Sequence, residues 1–134
     1  MSKLLARAKA KRFTAENSYN LVSCDDAYID ECCFALQQTI EFCLKYIVEM
    51  NGENYIENHD IRAQMNKLKE MDKFIPCEKE LRQMASTINS WEVETRYNDN
   101  FVALLEDIEE CRNIADELIK YCDGLVTKVK RNED

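Results

Sequence analysis

Three side chains on one stretch, Gln38, Glu41 and Lys45, have the types and spacing to hold a polar ligand. At about 100° per residue they fall together on one side of a helix. Glu41 and Lys45, four residues apart, can simply pair with each other on a wet face, worth only about 0.3 kcal/mol. Alternatively the trio is functional. Spacing alone leaves both readings open, the solvated pair being the simpler. A second candidate is Arg96-Tyr97, a planar donor fork beside a ring that can stack or donate. Taken alone, Arg96 equally fits a structural ion pair or a helix-end contact. The single histidine, His59, is the one imidazole available for acid–base work, but at a helix start it more simply caps or packs.

Other chemistries lack their residues. The chain has no nucleophile elbow, no phosphate-binding glycine loop and no dinucleotide fingerprint. Helical carboxylates are plentiful, but none forms the Glu-x-x-His pairing of a di-iron bundle. Seven cysteines occur without a CxxC pair, and zinc would need more histidine than His59 supplies, so neither metal nor cofactor is expected. Cys32, Cys43, Cys111 and Cys122 fall on apolar stripes, where a thiol acts as a small hydrophobe. Reduced, mostly buried thiols and no signal-peptide h-region point to a cytoplasmic protein. No apolar run approaches the length of a membrane span. A net charge of −8 disfavours gripping nucleic acid over the whole surface. The basic strip Lys3, Arg7, Lys9, Lys11 and Arg12 reads as a soluble helix face rather than a phosphate site.

The elements that must position these residues are helices. Two glycines and one proline in 134 residues are too few for the turns of a sandwich or barrel. The stretch Asp25–Asn51 dominates: Ile29, Cys32, Leu36, Ile40, Cys43, Ile47 and Met50 recur at three- and four-residue steps, one buried stripe. Phe34 and Phe42 lie beside the polar trio, so this helix is expected to pack on a second side as well. Ser23-Cys24-Asp25-Asp26 offers its amino-terminal cap, and Asn51-Gly52 its stop. A first helix is expected over residues 3 to about 21, with Leu5, Ala8, Ala15, Tyr19 and Val22 inward. A third runs from His59 or Asp60 to about Met71. Pro76 suits the first turn of a fourth, with Leu81, Met84, Ala85, Ile88 and Trp91 inside. A break is expected over Glu94–Asn100, with Asn98 or Asp99 capping the last helix. Phe101, Leu104, Leu105, Ile108, Cys111, Ala115, Leu118, Cys122, Leu125 and Val129 give that helix one face. Glu106, Asp107, Glu109 and Glu110 give it a solvated one, and Gly124 is where it would end or bend. The expectation is one all-α domain over residues 1–134, an antiparallel up-and-down bundle of about five helices.

The residues also carry a resemblance. Phe34 to Lys45, with Gln37-Gln38 followed by Glu41 and Lys45, resembles the signature helix of the HEPN domain (higher eukaryotes and prokaryotes nucleotide-binding). His59-Asp60-Ile61 resembles that family's His-Asp-Leu helix start, and Thr95-Arg96-Tyr97-Asn98-Asp99 its Ala-Arg-Tyr-Pro-Asp stretch. Order and separation fit too, over about residues 3 to 123.

The resemblance implies a helical bundle, commonly a homodimer, that often works beside a small nucleotidyltransferase, as partner or in a toxin–antitoxin pair. Members that cut RNA carry an arginine followed, after four to six residues, by histidine. Here Phe101, Val102 and Ala103 stand where that histidine would be. The expected function is therefore non-catalytic: binding a nucleotide, a nucleotidyltransferase or both in a cleft between the second helix and the start of the last. Carried over, the binding residues are Gln38, Glu41, Lys45, Arg96 and Tyr97, with Phe34 and Phe42 on a dimer or partner surface. The rivals are a metal-independent ribonuclease with a degenerate site using Arg96 and His59, and a plain helical scaffold.

Overall fold

The computed structural model describes residues 2–133, with side chains through Val126. Among them the chain forms five helices: α1 Leu4–Tyr19, α2 Ala27–Met50, α3 Ile61–Glu70, α4 Glu78–Tyr97 and α5 Leu105–Glu133. The expected all-helical bundle is the observed fold.

α2 is its axis. Cys32, Leu36, Ile40, Cys43 and Ile47 are fully buried, and so are Cys33, Leu44 and Val48 on the flank. Burying a side chain of the Leu or Ile class contributes about 1.5–3 kcal/mol, so this helix holds a large share of the core. It touches all four other helices, α1 most extensively, whereas α1 has no contact with α3 or α4 among the described residues. Polar pairs give the directions. Lys9 meets Asp123 at 2.6 Å, Arg12 meets Asp116 at 2.7 Å and Tyr19 meets Glu109 at 3.2 Å, so α1 and α5 run oppositely. The basic strip on α1 is therefore only partly a solvated face: Lys9 and Arg12 fasten it to the acids of α5. The Cys122 thiol reaches the Cys43 carbonyl at 3.7 Å, while Cys111 lies in electrostatic reach of Cys32 and Cys33, so α5 runs in the same sense as α2.

The stop at Asn51-Gly52 forms as expected. Gly52 sits at φ 82°, its N–H bonding the Glu49 carbonyl, while Glu53 N–H reaches back to Val48. That is a left-handed glycine closing a helix. Asp72 closes α3 the same way at φ 55°, a costlier choice for a residue with a Cβ. α3 starts where expected: Asp60 accepts from Arg62 N–H at 2.9 Å and is itself held by Asn89 Nδ2 at 2.9 Å.

Four boundaries differ from expectation. α2 begins two residues after Asp25, and the Asp25 carboxylate, rather than Ser23, takes the Ala27 amide at 2.8 Å. Pro76 stands outside α4, in the turn before Cys77, whose left-handed φ of 55° turns the chain into the helix. α4 runs through Glu94 and ends at Tyr97, so Arg96 and Tyr97 form its last turn rather than a break. α5 starts at Leu105: Asn98 closes a turn onto Asn100 N–H at 3.0 Å, leaving Phe101–Leu104 non-helical. Leu104 and Leu105 are 59% and 50% exposed, so neither belongs to the buried face of α5. That helix continues through Gly124, and Val129 lies outside the described side chains. On its outer side Glu106, Glu109 and Glu110 are exposed and Asp107 half-buried.

Candidate functional site

The polar trio of α2 does not lie on a wet face. Glu41 is 2% exposed and Lys45 is 7% exposed, and their charged ends meet at 3.1 Å. A pair taken out of water this far needs its remaining lone pairs and protons satisfied. Glu41 achieves this: its other oxygen accepts from Gln37 Nε2 at 3.1 Å and meets His59 Nδ1 at 3.0 Å. Lys45 Nζ lies 5.0 Å from the centre of the Tyr55 ring, a cation held over an aromatic face.

The link between α2 and α3 brings His59 there. From Asn51 it turns back along α2, pinned by Gln64, which exchanges two hydrogen bonds with the backbone of Ile56. Its side chain is 66% exposed, with Nδ1 toward Glu41 and Nε2 3.8 Å from Glu92 on α4. A carboxylate only accepts, so Nδ1 carries a proton when it bonds Glu41, and Nε2 is the atom left to gain or lose one. Glu92 in turn lies 3.5 Å from Arg96 Nη2, and Arg96 Nε donates to the Glu92 carbonyl at 2.8 Å. The guanidinium stacks over Phe34 with its carbon 5.1 Å from the ring centre, and Tyr97 flanks it at 5.5 Å.

Lys45, Glu41, His59, Glu92 and Arg96 thus form one line of alternating charge-bearing groups from the middle of α2 to the end of α4. Its inner end is dry and its outer end wet, with the Arg96 side chain 45% exposed and Tyr97 74% exposed. Such a line presents a half-exposed donor fork and an exposed ring to solvent, with the Glu41 and Glu92 carboxylates behind them.

The site named from sequence is therefore brought together only in part. Glu41 and Lys45 are joined directly, Arg96 reaches them through two intermediates, and Tyr97 lies at its rim. Gln38 is not in the cluster: its neighbour Gln37 bonds Glu41, while Gln38 Oε1 is buried without a hydrogen-bond partner among the described residues. Phe34 is a stacking partner of Arg96 within the chain, and Phe42 is half-buried against the core. Sequence reasoning missed Glu92, Tyr55 and Gln37, and read His59 as a local residue. Gln37 and Glu92 had a signal, their four-residue steps to Glu41 and Arg96; Tyr55 had none.

Burial makes the thiols poor nucleophiles. It pushes Cys32 up to about 11 and raises Cys33 and Cys111 further. Cys43 is raised by its hydrogen bond with Cys122 and by burial. No group of three or more His, Cys, Asp or Glu among the described residues could hold a metal ion.

Compared with known families, the chain matches the HEPN domain over residues 1–125. It belongs to the HEPN family. No curated protein and no solved structure gives a match. HEPN membership ties the chain to nucleotide- or RNA-related function, and HEPN domains often dimerise and associate with nucleotidyltransferases. No helix among the described residues is long and apolar enough to cross a membrane.

Proposed function

We propose that this HEPN domain is a dimeric, cytoplasmic binding protein that takes a nucleotide, or the acidic surface of a small nucleotidyltransferase, at the wet end of the charge line. Arg96 supplies the contact. A half-exposed guanidinium already stacked on Phe34 loses little freedom on meeting phosphate, and its planar fork suits two oxygens at once. Tyr97 is placed to stack on a base or donate to the ligand. Glu41 and Lys45 serve indirectly, fixing His59 and through it Glu92, which orients Arg96. The observation that carries this reading is a guanidinium oriented by Glu92 and flanked by Phe34 and Tyr97 that is still 45% exposed. Co-expression with a small nucleotidyltransferase, followed by affinity purification, tests the protein-partner branch. Recovery of the partner with wild type and its loss with Arg96→Ala is the expected result. Equal recovery with both removes that branch.

A second reading is favoured by one observation: His59 and Arg96 share the Glu92 carboxylate. A metal-independent ribonuclease could use His59 Nε2 for proton transfer and Arg96 for the phosphate. Incubation of pure protein with structured and unstructured RNA in chelator decides it: cleavage abolished by both His59→Ala and Arg96→Ala establishes this reading, and intact RNA removes it.

A further inference from the structure

α2 keeps one strip only half covered. α1 flanks it on one side and α3 and α4 on the other, and α1 touches neither of those two among the described residues. In the gap lie Phe34, Gln38 and Phe42, all half-buried, with exposed Glu31 one turn before and Lys45 one turn after. Two features of this strip are unusual. It is apolar and aromatic at its centre, where a lone helix face would be polar. At its middle Gln38 Oε1 is removed from water and has no hydrogen-bond partner among the described residues, a destabilising state.

Order along the strip suggests what covers it. Counted from Gln38, phenylalanine stands at four residues before and four after, and at seven residues a glutamate before is matched by a lysine after. That pattern maps onto itself when a second copy is laid antiparallel across it. An isologous contact pairs residue i with j and j with i, so Phe34 meets the second copy's Phe42. Gln38 then meets its own equivalent at the axis. An amide is self-complementary: a turn of the side chain lets each Nε2 donate to the other Oε1, relieving both orphan acceptors. Glu31 makes no ion pair with a cation among the described residues.

We propose that two copies of this chain associate through antiparallel α2 helices crossing at Gln38. This rests on the dimeric reading above and specifies its surface. It reassigns Gln38 from ligand binding to the two-fold axis. It also sets the second copy's Phe42 against Phe34, the ring under Arg96, so each binding site gains one wall from the other chain.

Cysteine crosslinking tests the proposal, on a background in which Cys24→Ser and Cys77→Ser remove the two thiols that are not buried. With a short bis-maleimide, Gln38→Cys is expected to give a covalent dimer. Phe34→Cys mixed with Phe42→Cys should crosslink, and each of those alone should crosslink at least about tenfold less, the distances across an antiparallel pair being unequal. Gln38→Glu places like charges on the axis and should weaken association at least about tenfold while helical circular dichroism stays unchanged. Dimers by sedimentation that crosslink at none of these positions overturn this surface and leave the dimeric reading standing. Crosslinking by Phe34→Cys alone and Phe42→Cys alone, but not by their mixture, shows parallel helices and also overturns it. A monomer at every concentration overturns both.

Discussion

His59 Nδ1 lies 3.0 Å from Glu41 Oε1, joining a residue of the α2–α3 link to the buried middle of α2. This contact is what makes the Glu41–Lys45 pair and the Arg96 fork parts of one site. Without it the inner pair would be a private matter of α2, and Glu92 would have no tie to the core.

The inner pair should be costly to break and less costly to remove. Glu41→Ala leaves Lys45 buried with no counter-charge, and a loss of about 3–5 kcal/mol is expected in urea unfolding. Glu41→Gln combined with Lys45→Met should recover more than half of that loss. If Glu41→Ala unfolds within about 1 kcal/mol of wild type, the pair is not as dry as described.

Arg96, by contrast, should matter little to stability. It is exposed at the end of α4, so Arg96→Ala is expected to cost no more than about 1 kcal/mol, the stack on Phe34 included. A larger loss would mean the residue is structural and the binding proposal is misplaced.

The seam between α1 and α5 makes the fold sensitive to acid. Hydrogen bonding from Arg112, against the opposing effect of partial burial, holds the Glu16 carboxyl below its usual range, with Arg12 adding to the effect. A carboxyl lowered in the folded state adds stability above its unfolded value, near about 4.3, that disappears as pH falls through the folded one. Glu16→Gln should flatten the stability–pH curve below about pH 4.5, and because the pair is partly wet the difference at pH 7 should stay under about 1 kcal/mol. A variant with the wild-type acid slope contradicts the assignment.

Thiol reactivity should sort by burial. Cys24 is exposed and should react with maleimide at the rate of a free thiol; Cys32, Cys33, Cys43, Cys111 and Cys122 should react only after unfolding. The raised folded values of Cys32, Cys33, Cys43 and Cys111 carry a second consequence. Unfolded thiols ionise near about 8.5, so stability should fall as pH rises above that value. Mass spectrometry of pulse-labelled protein reads the first effect and unfolding at pH 7 and 10 the second. Rapid native labelling of the five would mean that the α2–α5 seam opens.

Much of this was legible in the sequence, for reasons that also explain the failures. The stripe of α2 follows directly from a 3.6-residue period with no helix breaker between Asp25 and Asn51. The polar trio was found because Glu41 and Lys45 share a side, but a 100° step spreads neighbours widely, and Gln38 was chosen where Gln37 makes the bond. Phe101, Leu104, Leu105 and Ile108 have helical spacing, yet Asn98 closes a turn onto Asn100 and the chain stays non-helical to Leu104. Periodicity carries no information about such a turn. The step from Glu92 to Arg96 lies within α4, but the link of Glu92 to His59 exists only when α3's approach lies against α4. One of many exposed-looking glutamates becomes a bridge through tertiary contact alone.

The most direct test of the binding site is titration calorimetry of nucleoside mono-, di- and triphosphates into wild type and Arg96→Ala. The account predicts saturable heat with at least one nucleotide, weakened at least about tenfold (about 1.4 kcal/mol) in the variant. Equal binding by both proteins would contradict the role given to Arg96; no binding by either, together with no recovery of a nucleotidyltransferase, would contradict the function.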